Sequence, residues 1–110
     1  MAYDEALAER LRVLLGDRPD LTEKTMFGGL AFLIGGNMAI AASGQGGILV
    51  RVDPEEGEAL VASTPAEAMV MRGRAMASWL RVDSADVSDD AALAAWVERG
   101  ASYAASLPPK

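Results

Sequence analysis

The sequence predicts an α+β domain: an antiparallel sheet of about five or six strands, with helices at the N-terminus, in the middle and at the C-terminus, in the order α-β-β-β-β-α-β-β-α. Three observations carry this. Short apolar runs separated by glycine fill the stretch from Thr22 to Val52, as consecutive strands joined by tight turns do. Amphipathic segments with start and stop signals lie on either side of it. At 110 residues and 51% hydrophobic content the chain has enough apolar material for one core and not for two, so residues 1–110 are expected to form one domain.

Residues Asp4–Gly16 read as a helix, because Leu7, Leu11, Leu14 and Leu15 recur at the spacing of one helical face and Gly16 and Pro19 mark its end. Four strands follow, near Thr22–Phe27, Leu30–Ile34, Met38–Ser43 and Ile48–Val52. "VDPEEGEAL" opens the second helix: Asp53 can cap, Pro54 suits the first turn and Glu56 holds the capping-box position. That helix stops near Ser63–Pro65. Strands near Ala68–Arg72 and Met76–Val82 come next. The last helix starts with Ser88 as its cap, buries Leu93, Val97, Gly100, Ala104 and Leu107 with Trp96 beside them, and ends at Pro108–Pro109.

The stretch Thr25–Gly47, with three double glycines, needs its own test. A P-loop requires a lysine after its last glycine, and the residues here are Leu30, Asn37 and Ile48. A dinucleotide fingerprint opens a helix. "SGQGGILV" instead runs into a strand, with Leu49 where the third glycine would stand. The uncharged run Phe27–Val50 is long enough to span a bilayer, but its glycines, Asn37 and Gln45 break it into strand-length pieces. "GGN" and "GQGG" fit turns, where glycine and asparagine tolerate positive φ. Gly28–Gly29 fit a bulge or a close backbone approach. The stretch reads as a meander.

Composition restricts the chemistry. The chain has no cysteine and no histidine, which removes thiol chemistry and the commonest general base and zinc ligand. No serine sits in a nucleophile elbow, and Lys24 is the only internal lysine. Asp83, Asp86, Asp89 and Asp90 lack calcium-loop spacing and suit a helix start. The expectation is therefore no enzyme, no cofactor and no metal. The N-terminus is acidic and amphipathic rather than a basic, apolar leader, so a cytoplasmic location is expected. A net charge of −6 disfavours nucleic acid.

The block "EKTMFGGLAFLIGGNMAIAA", then "LVRVD", "MRGRAM" and the two tryptophans Trp79 and Trp96, resembles the N-terminal domain of TfoX-like proteins, a family named for a bacterial competence regulator. The positions that carry the resemblance are Lys24, Met26, Phe27, Gly28, Gly29, Gly36, Asn37, Met38, Arg72, Gly73 and Arg74. The resemblance implies an antiparallel sheet with flanking helices and a regulatory rather than catalytic role. Longer members carry a C-terminal domain, whereas this sequence ends at Lys110. Members with histidine or cysteine at the hairpin have possible metal ligands there; this chain has Asn37, Ala39 and Ile40.

Charge is segregated along the chain. From Lys24 to Val52 there are two bases and no acid, and from Arg72 to Val82 three bases and no acid, while the intervening Asp53–Met71 has five acids and no base. Strand alternation puts Leu49 and Arg51 opposite Ile48 and Val50, and Trp79 and Arg81 opposite Leu80. One sheet face is thus expected to carry Arg51, Trp79 and Arg81 as an interaction surface, since tryptophan and arginine are enriched at binding hot spots. Met69 and Met71 share a strand face and are expected to pack inward. The expected function is a regulatory or protein-interaction module whose partner is another protein or a second copy, with the acidic stretch Asp53–Glu58 of a second copy as one candidate. The rival is a small-molecule-binding domain with a pocket between sheet and helices.

Overall fold

The computed structural model describes residues 3–26, 28–71 and 73–109; Phe27 and Arg72, two of the motif positions, lie outside the described residues. The elements are α1 (Glu5–Leu15), β1 (Leu21–Met26), β2 (Gly29–Ile34), β3 (Asn37–Ala42), β4 (Ile48–Arg51), α2 (Pro54–Ser63), β5 (Glu67–Met71), β6 (Arg74–Val82), a 3-10 turn (Ser84–Val87) and α3 (Asp90–Ser106). The helix and strand order is the one expected. Among the described residues the sheet has six strands, ordered β1-β2-β3-β4-β6-β5, and every neighbouring pair is antiparallel.

Turn chemistry sets the meander. Ile34 and Asn37 pair across a two-residue turn in which Gly35 and Gly36 both have positive φ, 60° and 85°, as the turns matched to strand twist require. Of the two expectations for Gly29, the close backbone approach is the one found: a Cβ there would collide with the Ala42 carbonyl oxygen on β3. The bulge instead interrupts the β2–β3 register between Phe32 and Leu33, whose partners are Ile40 and Met38. Ala39 is the extra residue, and both Ala39 and Ile40 enter the core.

All three helices cover one face. Phe32, Ile40, Ile48, Val50, Leu80 and Val82 of the sheet pack with Leu7, Leu11 and Leu15 of α1 and Leu93, Trp96 and Val97 of α3 in one buried cluster, with Leu60 of α2 against it. Ala8, not Leu14, completes the buried face of α1, and Leu14 stays exposed. Asp89 rather than Ser88 caps α3, accepting from the Ala92 N–H at 3.1 Å; Ser88 closes the preceding 3-10 turn, an element the sequence did not suggest. Asp53 caps α2 as expected, accepting from the Glu55 N–H at 2.9 Å. Leu107 ends α3 only half-buried.

Two contacts fix the helices. Gly100 lets α3 settle onto the sheet, where an added Cβ would collide with the Ala39 carbonyl oxygen and press on Val50. Arg12 of α1 grips Glu23 of β1 with two charge-assisted bonds, Nε at 2.8 Å and Nη2 at 3.0 Å. Those bonds hold the Glu23 carboxyl below its usual range and the Arg12 guanidinium above its own. The chain after α3 is tied back by the buried Asn37, whose amide donates to the Pro108 carbonyl at 2.9 Å.

Gly100→Ala should therefore destabilise the fold by about 1–3 kcal/mol, read as a lower urea midpoint, although alanine is intrinsically the better helix former by about 1 kcal/mol. Glu23 has a folded pKa below its unfolded one, so its contribution is present above the ordinary carboxylate value and lost as pH falls through the folded value. The melting temperature of Glu23→Gln should lie below that of the wild type at pH 7, and the gap should close as pH falls below the ordinary carboxylate value and through the lower folded one.

Candidate functional site

The face of the sheet opposite the helices has no element over it among the described residues. Residues paired across neighbouring strands share a face, and the register identifies the occupants. Lys24 pairs with Ala31, Ala31 with Ala41, Ala41 with Leu49, Leu49 with Arg81, and Arg51 with Trp79. Ala31, Met38 and Ala41 form a small buried cluster on this side, with Met26, Leu33, Leu49 and Trp79 half-buried against it. A shallow cleft of about 220 Å³ opens here between Met26, Met38, Leu49 and Met69, rimmed by Ser43, Gln45 and Arg81. Met69 thus lines the open-face cleft instead of packing into the helix-covered core, because Ala68 beside it takes the core side; the Met71 side chain lies outside what is described.

Arg51, Trp79 and Arg81 lie on this open face. The Arg51 guanidinium carbon is 5.1 Å from the centre of the Trp79 ring and 5.7 Å from that of Tyr103, which α3 brings to the end of β4. Both distances are within cation–π range. The Arg51 Nε is buried without a hydrogen-bond partner. Arg81 has a long contact to the Ser43 hydroxyl, 3.5 Å from Nη2. Neither arginine forms an ion pair among the described residues. On the helix-covered side three arginines are matched: Arg10 with Asp90 at 2.9 Å, Arg12 with Glu9 and Glu23, and Arg18 with Glu98 at 3.9 Å. Arg99 lies over Trp96 at 4.7 Å.

The described motif positions do not assemble into one site. Lys24 stands exposed on the open face, Met26 and Met38 belong to its apolar patch, and Gly28, Gly29, Gly36 and Asn37 shape the meander. Gly73, with φ of 78°, lies in the β5–β6 turn, and the exposed Arg74 opens β6, paired with Met71. Tyr103 is the contributor that sequence reasoning missed: it lies far along the chain, and only the seating of α3 brings it to Arg51. A hollow of about 220 Å³ under α2 is lined by Gly57, Glu58, Val61, Ala68 and Ala75, between sheet and helix. Among the described residues no three acidic side chains gather as a metal site, and no helix is long and apolar enough to cross a membrane.

An antiparallel sheet with three helices on one side and a half-apolar, arginine-bearing surface on the other is a one-sided α+β domain. The model of the TfoX N-terminal domain family matches residues 13–104, most of the chain, and the chain belongs to that family. No curated protein and no solved structure matches it.

The uncompensated charge of the open face is measurable. In a Trp96→Phe protein, where Trp79 is the only indole, iodide should quench fluorescence more strongly than caesium despite the net charge of −6. Replacing Arg51 and Arg81 by methionine should reverse that order. Equal quenching by both ions in the parent would show the surface to be electrostatically neutral.

Proposed function

We propose that this chain is a non-enzymatic regulatory module that binds another protein, or a second copy of itself, through the helix-free face of its sheet. The observation that supports this is the apolar patch in which Leu49 and Trp79 stay half-buried over the buried Met38, with no helix above them among the described residues. Contiguous apolar surface rimmed by polar groups is a common mark of an interaction site, and a central tryptophan with flanking arginines is the usual composition of a hot spot. Membership of the TfoX N-terminal domain family fits a regulatory role. The absence of histidine and cysteine from the sequence disfavours nucleophilic and acid–base catalysis. Duplex DNA is a poor partner for a net charge of −6.

Small-molecule binding is the second reading, and the open-face cleft favours it. Its volume of about 220 Å³ falls below the roughly 300–1,000 Å³ of drug-sized ligand sites, so it better suits one inserted side chain than a whole ligand.

Leu49→Glu places a charge at the centre of the patch, and Val13→Glu places one on α1, at a site already 73% exposed. Affinity capture with tagged wild type and both variants, together with sedimentation of each, checks the proposal. A partner set or self-association retained by Val13→Glu and lost by Leu49→Glu is expected. Identical behaviour of all three proteins would contradict it.

A further inference from the structure

We infer that the open face takes an acidic peptide segment of a partner protein, one that alternates carboxylates with apolar side chains; this rests on the interaction reading above. The first support is the division of the arginines. Arg10, Arg12 and Arg18 each meet a carboxylate of this chain. Arg51 and Arg81 meet none among the described residues, in a protein with 16 acids against 10 bases; Arg74 and Arg99 also form no ion pair there, but neither is paired with Leu49 or Trp79 on the open face. Intramolecular carboxylates are in excess, so these two are left unmatched by position, not by shortage. Glu67 is the acid nearest in register, paired with Arg81 across β5 and β6, yet it forms no ion pair and points to solvent.

The second support is their arrangement. Arg51 pairs with Trp79, and Leu49 with Arg81, on adjacent strands. The four side chains therefore make a checkerboard, with the two cations on one diagonal and the two apolar groups on the other. Diagonal neighbours in an antiparallel pair lie roughly 7–8 Å apart. An extended segment repeats its side chains on one face at about 6.8 Å, twice the rise per residue, so two carboxylates at alternate positions can meet both guanidiniums.

The third support is pre-orientation. Trp79 and Tyr103 flank the Arg51 guanidinium, and its buried Nε has no partner. A guanidinium fixed by aromatic rings loses little freedom on forming a two-pronged carboxylate bond. The adjoining cleft, floored by Met26, Met38 and Met69, is adaptable because methionine repacks easily. It accepts an apolar side chain from the same segment while Arg81 at its rim takes a neighbouring carboxylate.

Selection from a displayed library of random 12-residue peptides on the full chain tests this, followed by titration of one selected peptide. Peptides rich in Asp and Glu with interspersed Leu, Phe or Trp are expected. Affinity should fall at least about tenfold in Arg81→Gln and in Arg51→Met, with the melting temperature of each variant measured alongside, and should weaken as salt is raised. Arg81→Gln keeps the test decisive if Arg51→Met unfolds. Neutral peptides lost by Leu49→Glu but indifferent to both arginine changes would overturn the acidic partner and leave the interaction face standing. Peptides indifferent to Leu49→Glu as well, or no selected peptide, would overturn both.

Discussion

The seating of α3 on the sheet at Gly100 is the contact on which the rest of the molecule depends. Because no side chain intervenes, the helix backbone comes down onto the bulged residue Ala39 and the side of Val50. The bulge answers that approach by turning Ala39 and Ile40 both toward the helix. One turn further along α3, Tyr103 reaches Arg51 at the end of β4. A packing detail on the covered face thus sets the posture of a cation associated with the uncovered one. Asn37 and Pro108 then hold the hairpin to the chain beyond the helix.

Covering only one side of a sheet has an energetic consequence. The helix side excludes water from Phe32, Ile40, Val50 and Leu80, and burial of this kind dominates stability at roughly 25 cal/mol per Å². The other side keeps small residues, Ala31 and Ala41, at its centre and longer methionine, leucine and tryptophan side chains leaning over them. This limits the exposed apolar area without removing it. The arginines at the margin keep the surface hydrated while their stems cover apolar atoms. A sheet face of this composition can exist in water and can still gain by being covered.

Much of this was legible in the sequence because the relevant signals are local. Paired glycines before Asn37 specify a turn wherever they occur. Alternation in "ILVR" and "SWLRV" separates Leu49, Arg51, Trp79 and Arg81 from Val50 and Leu80 without any knowledge of the partner strand. What was not legible depends on distant partners. Leu14 has the helical spacing of a buried residue, but α1 meets its neighbours through Leu7, Ala8, Leu11 and Leu15. Ser88 and Asp89 are both good caps, and a 3-10 turn inserted before them decided for Asp89. The bulge at Ala39, the inside-out position of Met69 and the reach of Tyr103 are all set by which elements become neighbours. Strand pairing between β4 and β6, separated in sequence by α2 and β5, is what brings the two arginine-bearing runs side by side.

Arg51 and Arg81 of the open face have no carboxylate partner among the described residues, while Arg10, Arg12 and Arg18 of the helix side are already engaged. Side-chain NMR of the arginine Nε–H groups during titration with N-acetylglutamate tests it most directly. Selective, saturable shifts are expected at Arg51 and Arg81, with Arg10, Arg12 and Arg18 changing little. Shifts of equal size at all of these arginines, or concentrated on Arg10, Arg12 and Arg18, would overturn it.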